Sequence, residues 1–135
     1  MQDRPAPTEL LEAVAAFLRE QVVPATDGTL AFHARVAANA LDIARRELLA
    51  DADAQQADGE RASLQALLGD SNETELDALQ RTLCQRIADG ALDLATPGLA
   101  DHLWRTTRAK LAVDQPGYGS YRRSLEPTSP GTPTP

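Results

Sequence analysis

Residues Leu30–Leu48 read LAFHARVAANALDIARREL, and the spacing of their apolar side chains decides the fold. At about 100° per residue counted from Leu30, Phe32, Val36 and Ile43 fall near 200–240° and Leu41 and Leu48 near 0–20°. Ala37, Ala40 and Ala44 fill the interval between them. The apolar arc covers about half the helix, wider than the stripe of an ordinary surface helix. The segment is therefore expected to pack against two neighbours, its alanines letting one of them approach closely. His33, near 300° (roughly the middle of that arc), is read as sitting on the buried face. Arg35, Asn39, Asp42 and Arg46 gather at about 120–180°, on the other side. Asp42 and Arg46 form an acid-first i, i+4 pair worth about 0.3–0.5 kcal/mol when exposed. His33 and this polar stripe point in different directions, so a single catalytic cluster would need a ligand reaching around the helix.

Outward from this stretch, the chain is helical nearly throughout. Pro7 and Thr8 introduce a first helix, with Thr8 as its cap and Leu10, Leu11, Val14, Phe17, Leu18 and Val22 as its apolar face. Pro24 stops it, and Thr26-Asp27-Gly28 is loop chemistry. The second helix runs to about Ala50, where DADAQQADGE begins, a segment compatible with either a short helix or a flexible connection. A third helix spans roughly Glu60 to Leu68 and is closed by Gly69. Asn72 and Glu75 have the spacing of a capping box ahead of a fourth helix carrying Leu76, Leu79, Leu83 and Ile87, which Gly90 ends. Thr96-Pro97 starts the last long helix, with proline at its first position, and Pro116 limits it to Asp114 or Gln115. The expected fold is all-α, a compact antiparallel bundle of four to five helices. Residues 1–125 form the domain, and 126–135, EPTSPGTPTP, form a disordered Pro/Thr-rich tail without an apolar anchor.

Composition narrows the function. The net charge of −7 argues against a general nucleic-acid binder, for which a basic footprint is expected. Charge is unevenly spread: Glu47, Asp51, Asp53, Asp58, Glu60, Asp70, Glu73, Glu75 and Asp77 face only Arg61 in the middle of the chain. Between His102 and Arg123 the balance reverses, with Arg105, Arg108, Lys110, Arg122 and Arg123 against Asp114. Such polarity can steer a charged partner, although solvated helix faces of differing sign produce the same pattern. No apolar run approaches the ~20 residues of a membrane span, and the N-terminus lacks a secretory pattern. With Cys84 the single cysteine, no internal disulfide can form. The expected setting is cytoplasmic, without membrane.

Candidate chemistry is sparse. Three readings fit His33: a buried neutral imidazole whose burial lowers its pKa, a seat at a subunit interface, or a general base. His33 and His102 are the only histidines, and neither has a histidine or acid at i+3 or i+4, so no metal site is expected. GxGxxG, P-loop and GxSxG patterns are absent. Cys84, beside Leu83, reads as a small buried thiol. Lys110, the only lysine, lies at the edge of its helix's apolar face, where its stem snorkels or its ammonium meets a partner.

The segments RPAPTELLEAVAAFL, LAFHARVAANALDIARREL, LCQRIADGALDL and HLWRTTRAKLAVDQPGYGSY resemble a family of small bacterial proteins of unknown function. The resemblance covers about Asp3 to Leu125. Members typically occur beside an aminoglycoside-kinase-type phosphotransferase and an acyl-CoA dehydrogenase, and one is similar to the small accessory subunit of the levulinate-pathway hydroxyacyl-CoA kinase. The resemblance implies a non-catalytic, cofactor-free accessory protein that supports a kinase-like phosphotransferase acting on hydroxyacyl-CoA. It supplies no catalytic residues. The expected partner interface is His33, Arg35, Asn39, Asp42, Arg46, Arg105, Arg108 and Lys110. The alternative is a free-standing acyl-CoA or anion-binding bundle using Arg105, Arg108, Lys110, Arg122 and Arg123.

Overall fold

A computed structural model describes residues 4–70 and 72–127. Six α-helices account for most of them: α1 Pro7–Phe17, α2 Gly28–Asp51, α3 Ala54–Leu68, α4 Leu76–Ala88, α5 Leu99–Asp114 and α6 Gly119–Leu125. Among the described residues there is no strand, so the chain is all-α, with one or two helices more than the sequence suggested. The short α6, between Pro116 and the C-terminal segment, is the helix its periodicity does not announce. The expected tail lies, from residue 128 onward, outside the described residues. No described helix is long and apolar enough to cross a membrane.

Helix ends show where local chemistry overrode the expected signals. Ala6, not Thr8, precedes α1; Pro7 occupies the first turn, and the Glu9 carboxylate accepts the Ala6 N–H at 2.8 Å. Beyond Phe17 the helix does not stop. It widens into a π-helical turn over Leu18–Val22, closed by Val23 N–H donating to the Leu18 carbonyl at 2.9 Å, an i to i+5 bond. The acidic 51–60 segment resolves as helix: α3 begins at Ala54, and Asp53 Oδ1 accepts the Gln56 N–H at 3.3 Å. The capping box expected at Asn72 does not form. Helix α4 begins only at Leu76, and the Glu73 carboxylate instead accepts the N–H groups of Thr74 and Glu75. Likewise α5 starts at Leu99 after Gly98, not at Pro97. Gly69 and Gly90 do end their helices, at φ +66° and +74°, a left-handed conformation that glycine adopts without a Cβ clash.

The chain divides into two units, Met1–Ala62 and Ser63–Pro135, with the division inside α3. In the first unit α1 and α2 form an antiparallel hairpin, because Glu12 pairs with Arg45 and the later Arg19 with the earlier Asp42. Its interior is built from Ala15, Ala31, Ala34 and Ala38, all buried. In the second unit the core is leucine: Leu64 and Leu68 of α3, Leu79 and Leu83 of α4, and Leu99 of α5, with Leu67, Leu76 and Leu92 packed against them. Arg86 of α4 donates to the Leu68 carbonyl at 3.0 Å, satisfying an acceptor at the open C-terminus of α3.

Candidate functional site

The expected interface residues fall in both units, and each unit has its own polar arrangement. In the hairpin, the π-helical turn carries Arg19, whose Nη2 donates to Asn39 Oδ1 at 2.9 Å and to the Asp42 carboxylate. Beside it Arg45 Nη2 donates to Glu12 Oε2 at 2.9 Å, while Arg45 Nε is buried with no hydrogen-bond partner among the described residues. These half-exposed pairs are worth about 0.2–1 kcal/mol each. Their main effect is geometric: they fix which side of α2 faces α1. Asn39 and Asp42, read from the sequence as a presented edge, are thus engaged by α1 itself. Asp42 pairs with Arg19 of α1's π-helical extension, a partner the sequence reading did not name, and Arg46 is half-buried. Arg35 is exposed.

His33 departs from the buried reading. It is exposed, and its ring meets Phe32 edge-on, with centroids 5.6 Å apart and planes at 74°. The buried side of α2 is the Ala31–Ala34–Ala38 seam, near 40–100° on the same wheel, rather than the broad arc centred near His33 (~300°). The reason is helix separation. A seam of alanines brings two backbones close together, and close backbones exclude the bulky side chains to either side.

The second histidine takes the role expected of the first. His102 on α5 is 3% exposed. Its Nδ1 lies 3.0 Å from Ser63 Oγ of α3, its Nε2 lies 3.4 Å from Thr106 Oγ1, and the Thr106 hydroxyl donates to the His102 carbonyl. Arg105 Nη2 donates to the same Ser63 oxygen at 3.0 Å. With Ser63 accepting from Arg105, its own proton is available to Nδ1, which leaves the ring proton on Nε2, facing Thr106. A buried imidazole is satisfied on both nitrogens by this chain, as buried polar groups must be. The signal was present in the sequence: His102 and Thr106 are spaced i, i+4, on the arc of α5 that carries Leu99.

Arg105 reaches the rim of a small cleft of about 250 Å³ whose lining includes Ser63, Gly98 and Asp101. A hydroxyl in contact with an imidazole is the elementary unit of nucleophilic catalysis. Here the far ring nitrogen lies 3.4 Å from the Thr106 hydroxyl, and Ser63 lies within α3. The arrangement joins α3 to α5. Arg108 is half-buried on α5 and Lys110 exposed. Trp104, which the sequence reading did not single out, is 58% exposed. Cys84, expected inside, is exposed and lines a shallow groove with Asp77, Gln80, Arg81, Gln85 and Ala88; Leu79 and Leu83 take the buried side of α4 instead. Among the described residues no group of three or more histidines, cysteines or acids is placed to hold a metal ion.

Residues 24–118 match the family model described as a domain of unknown function, DUF6285. The matched segment spans α2 to α5, that is, most of the described chain, and the chain belongs to that family. No curated protein and no solved structure matches it.

Proposed function

We propose that this member of the DUF6285 family is a non-catalytic accessory subunit that binds and supports an aminoglycoside-kinase-type phosphotransferase acting on hydroxyacyl-CoA. The partner's class is what the sequence resemblance implies. The observation that carries the binding role is Trp104, the chain's only tryptophan, standing 58% exposed on α5. A side chain of this size buries roughly 150–250 Å² when covered, and exposed tryptophans and arginines are the residues that most often anchor interfaces. Arg108 follows one turn later on the same face (~40° away), and its planar fork suits a carboxylate or phosphate on the partner. The docking surface is therefore centred on Trp104 and Arg108, with Lys110 and Arg105 on the same helix. On the first unit Arg35 is a separate candidate contact, because Asn39 and Asp42 are held by Arg19.

Co-expression of the chain with such a phosphotransferase, followed by size-exclusion chromatography, tests this reading. Wild type is expected to co-elute with the kinase, and Trp104→Ala combined with Arg108→Glu to elute apart from it with unchanged helicity. Co-elution of the double variant at wild-type strength removes α5 as the docking surface. The rival reading draws on the basic run Arg105, Arg108, Lys110, Arg122 and Arg123. It gains if calorimetry shows micromolar binding of CoA by the isolated chain.

A further inference from the structure

The contacts around His102, 3% exposed, form a chain of hydrogen bonds with a single direction. Arg105 Nη2 donates to Ser63 Oγ at 3.0 Å, Ser63 Oγ lies 3.0 Å from His102 Nδ1, and His102 Nε2 lies 3.4 Å from Thr106 Oγ1. The Thr106 hydroxyl gives its own proton to the His102 carbonyl at 2.7 Å, so toward the ring it accepts. At the other end a guanidinium only donates. Protons therefore point from Arg105 to Ser63, from Ser63 to Nδ1, and from Nε2 toward Thr106. Only a neutral imidazole fits between those two hydroxyls.

A proton added at Nδ1 disturbs that order twice. The nitrogen turns from acceptor to donor, so Ser63 Oγ meets donors from both sides and its own proton loses its acceptor. The ring also becomes a cation, one oxygen away from the Arg105 guanidinium and shielded from water, which disfavours the charged form. On α3, Glu60 and Arg61 lie within one turn of Ser63, and Arg61 pairs with Asp58. On α5, Asp101 is exposed and turned about 100° from His102. On α4, Asp77 and Arg81 line an exposed groove, and Arg86 is held at the Leu68 carbonyl. The charge bonded into the chain of hydrogen bonds is Arg105, and it is positive.

We propose that Arg105, Ser63, His102 and Thr106 form a pH-sensitive latch, which holds α5 on α3 while the imidazole is neutral and releases it on protonation. The sign follows from linkage. The fold disfavours the protonated ring, whereas the unfolded chain binds that proton at the ordinary imidazole value of ~6.5. The latch is therefore complete above about pH 6.5, and its contribution falls as pH drops below that value. Trp104 and Arg108 stand on the same helix, so acid loosens the element that carries them. The latch belongs to the isolated chain and stands or falls independently of the phosphotransferase reading.

Denaturant unfolding of the full chain, followed by the fluorescence of Trp104, its only tryptophan, tests the proposal. Between about pH 7.5 and about pH 5.5 the folding equilibrium constant is expected to fall about tenfold, the full effect of one imidazole protonated only when unfolded. His102→Asn keeps an acceptor for Ser63 and does not titrate, so it should flatten that dependence. His33→Gln, at the only other histidine, should retain it. Should the asparagine variant fail to fold, the wild-type ring decides the matter. Its NMR signals should remain those of the neutral Nε2–H form at about pH 6, where most imidazoles of an unfolded chain are charged. Three results overturn the proposal. One is a wild-type constant that does not fall, and another is a dependence that survives His102→Asn or disappears with His33→Gln. The third is a His102 ring that protonates near pH ~6.5 with native signals intact, as it would if the half-buried Glu60 carboxylate governed it instead of Arg105.

Discussion

The two units of this chain solve the packing of helices in opposite ways. The second buries leucines from α3, α4 and α5 against one another. The first buries alanines and turns its leucines, valines and phenylalanines outward. Each leucine removed from water contributes about 1.5–3 kcal/mol of hydrophobic stabilisation, so the leucine cluster supplies its unit with its own driving force. The alanine seam supplies little area and much proximity. Side chains on a close-packed seam fix the register and separation of α1 and α2, while the hairpin's larger apolar side chains such as Phe17, Leu30 and Phe32 stay exposed. The lesson concerns sidedness: the wide apolar arc that the sequence of α2 displays is not the side of α2 that the fold buries.

Substitutions can break this contrast. The largest effect should come from Leu79→Ala, which opens a cavity in the leucine cluster where the side chain is 1% exposed. A loss of about 2–5 kcal/mol is expected, measured by denaturant unfolding; a smaller loss would mean that the cluster collapses around the gap and is looser than described. Next comes Ala38→Leu in the hairpin. Ala38 is fully buried, so the added atoms have no room, and overpacking should cost about 1–3 kcal/mol. In an ordinary surface helix the same change would be close to neutral, so an unchanged or raised melting temperature would refute the close seam. The smallest is Arg19→Ala, which removes the bonds to Asn39 and Asp42. These are partly solvated, and a loss of about 0.2–1 kcal/mol is expected, reduced further by salt. A salt-independent loss well above that range would show that the polar flank is more than an orienting device.

Much of the site was legible, but at the wrong address. A buried neutral imidazole was one of three readings of His33, and a buried imidazole is found at His102 instead. What separates the two is the inward direction of each helix. His33 lies among apolar neighbours on an arc that α1 does not meet. His102 lies on the arc of α5 with Leu99 and Thr106, which is the arc that meets Ser63. Cys84 shows the same effect: one residue beyond the buried Leu83 turns it about 100°, out of the core. Asn39 and Asp42 were recognised as a polar edge, but their partner, Arg19, is twenty or more residues away on a turn whose π-helical widening no periodicity rule anticipates.

By itself the sequence determined that this chain is helical, roughly where the helices stop, and which residues share an arc. Those are properties of backbone sterics and of a 3.6-residue period, with proline and glycine as punctuation. Only the tertiary structure decided which arc of each helix meets a neighbour. That choice depends on the connection over residues 23–27, on the separation that alanine permits, and on pairings such as Arg19 with Asp42. Burial is a property of two surfaces in contact, and one helix's sequence describes only one of them.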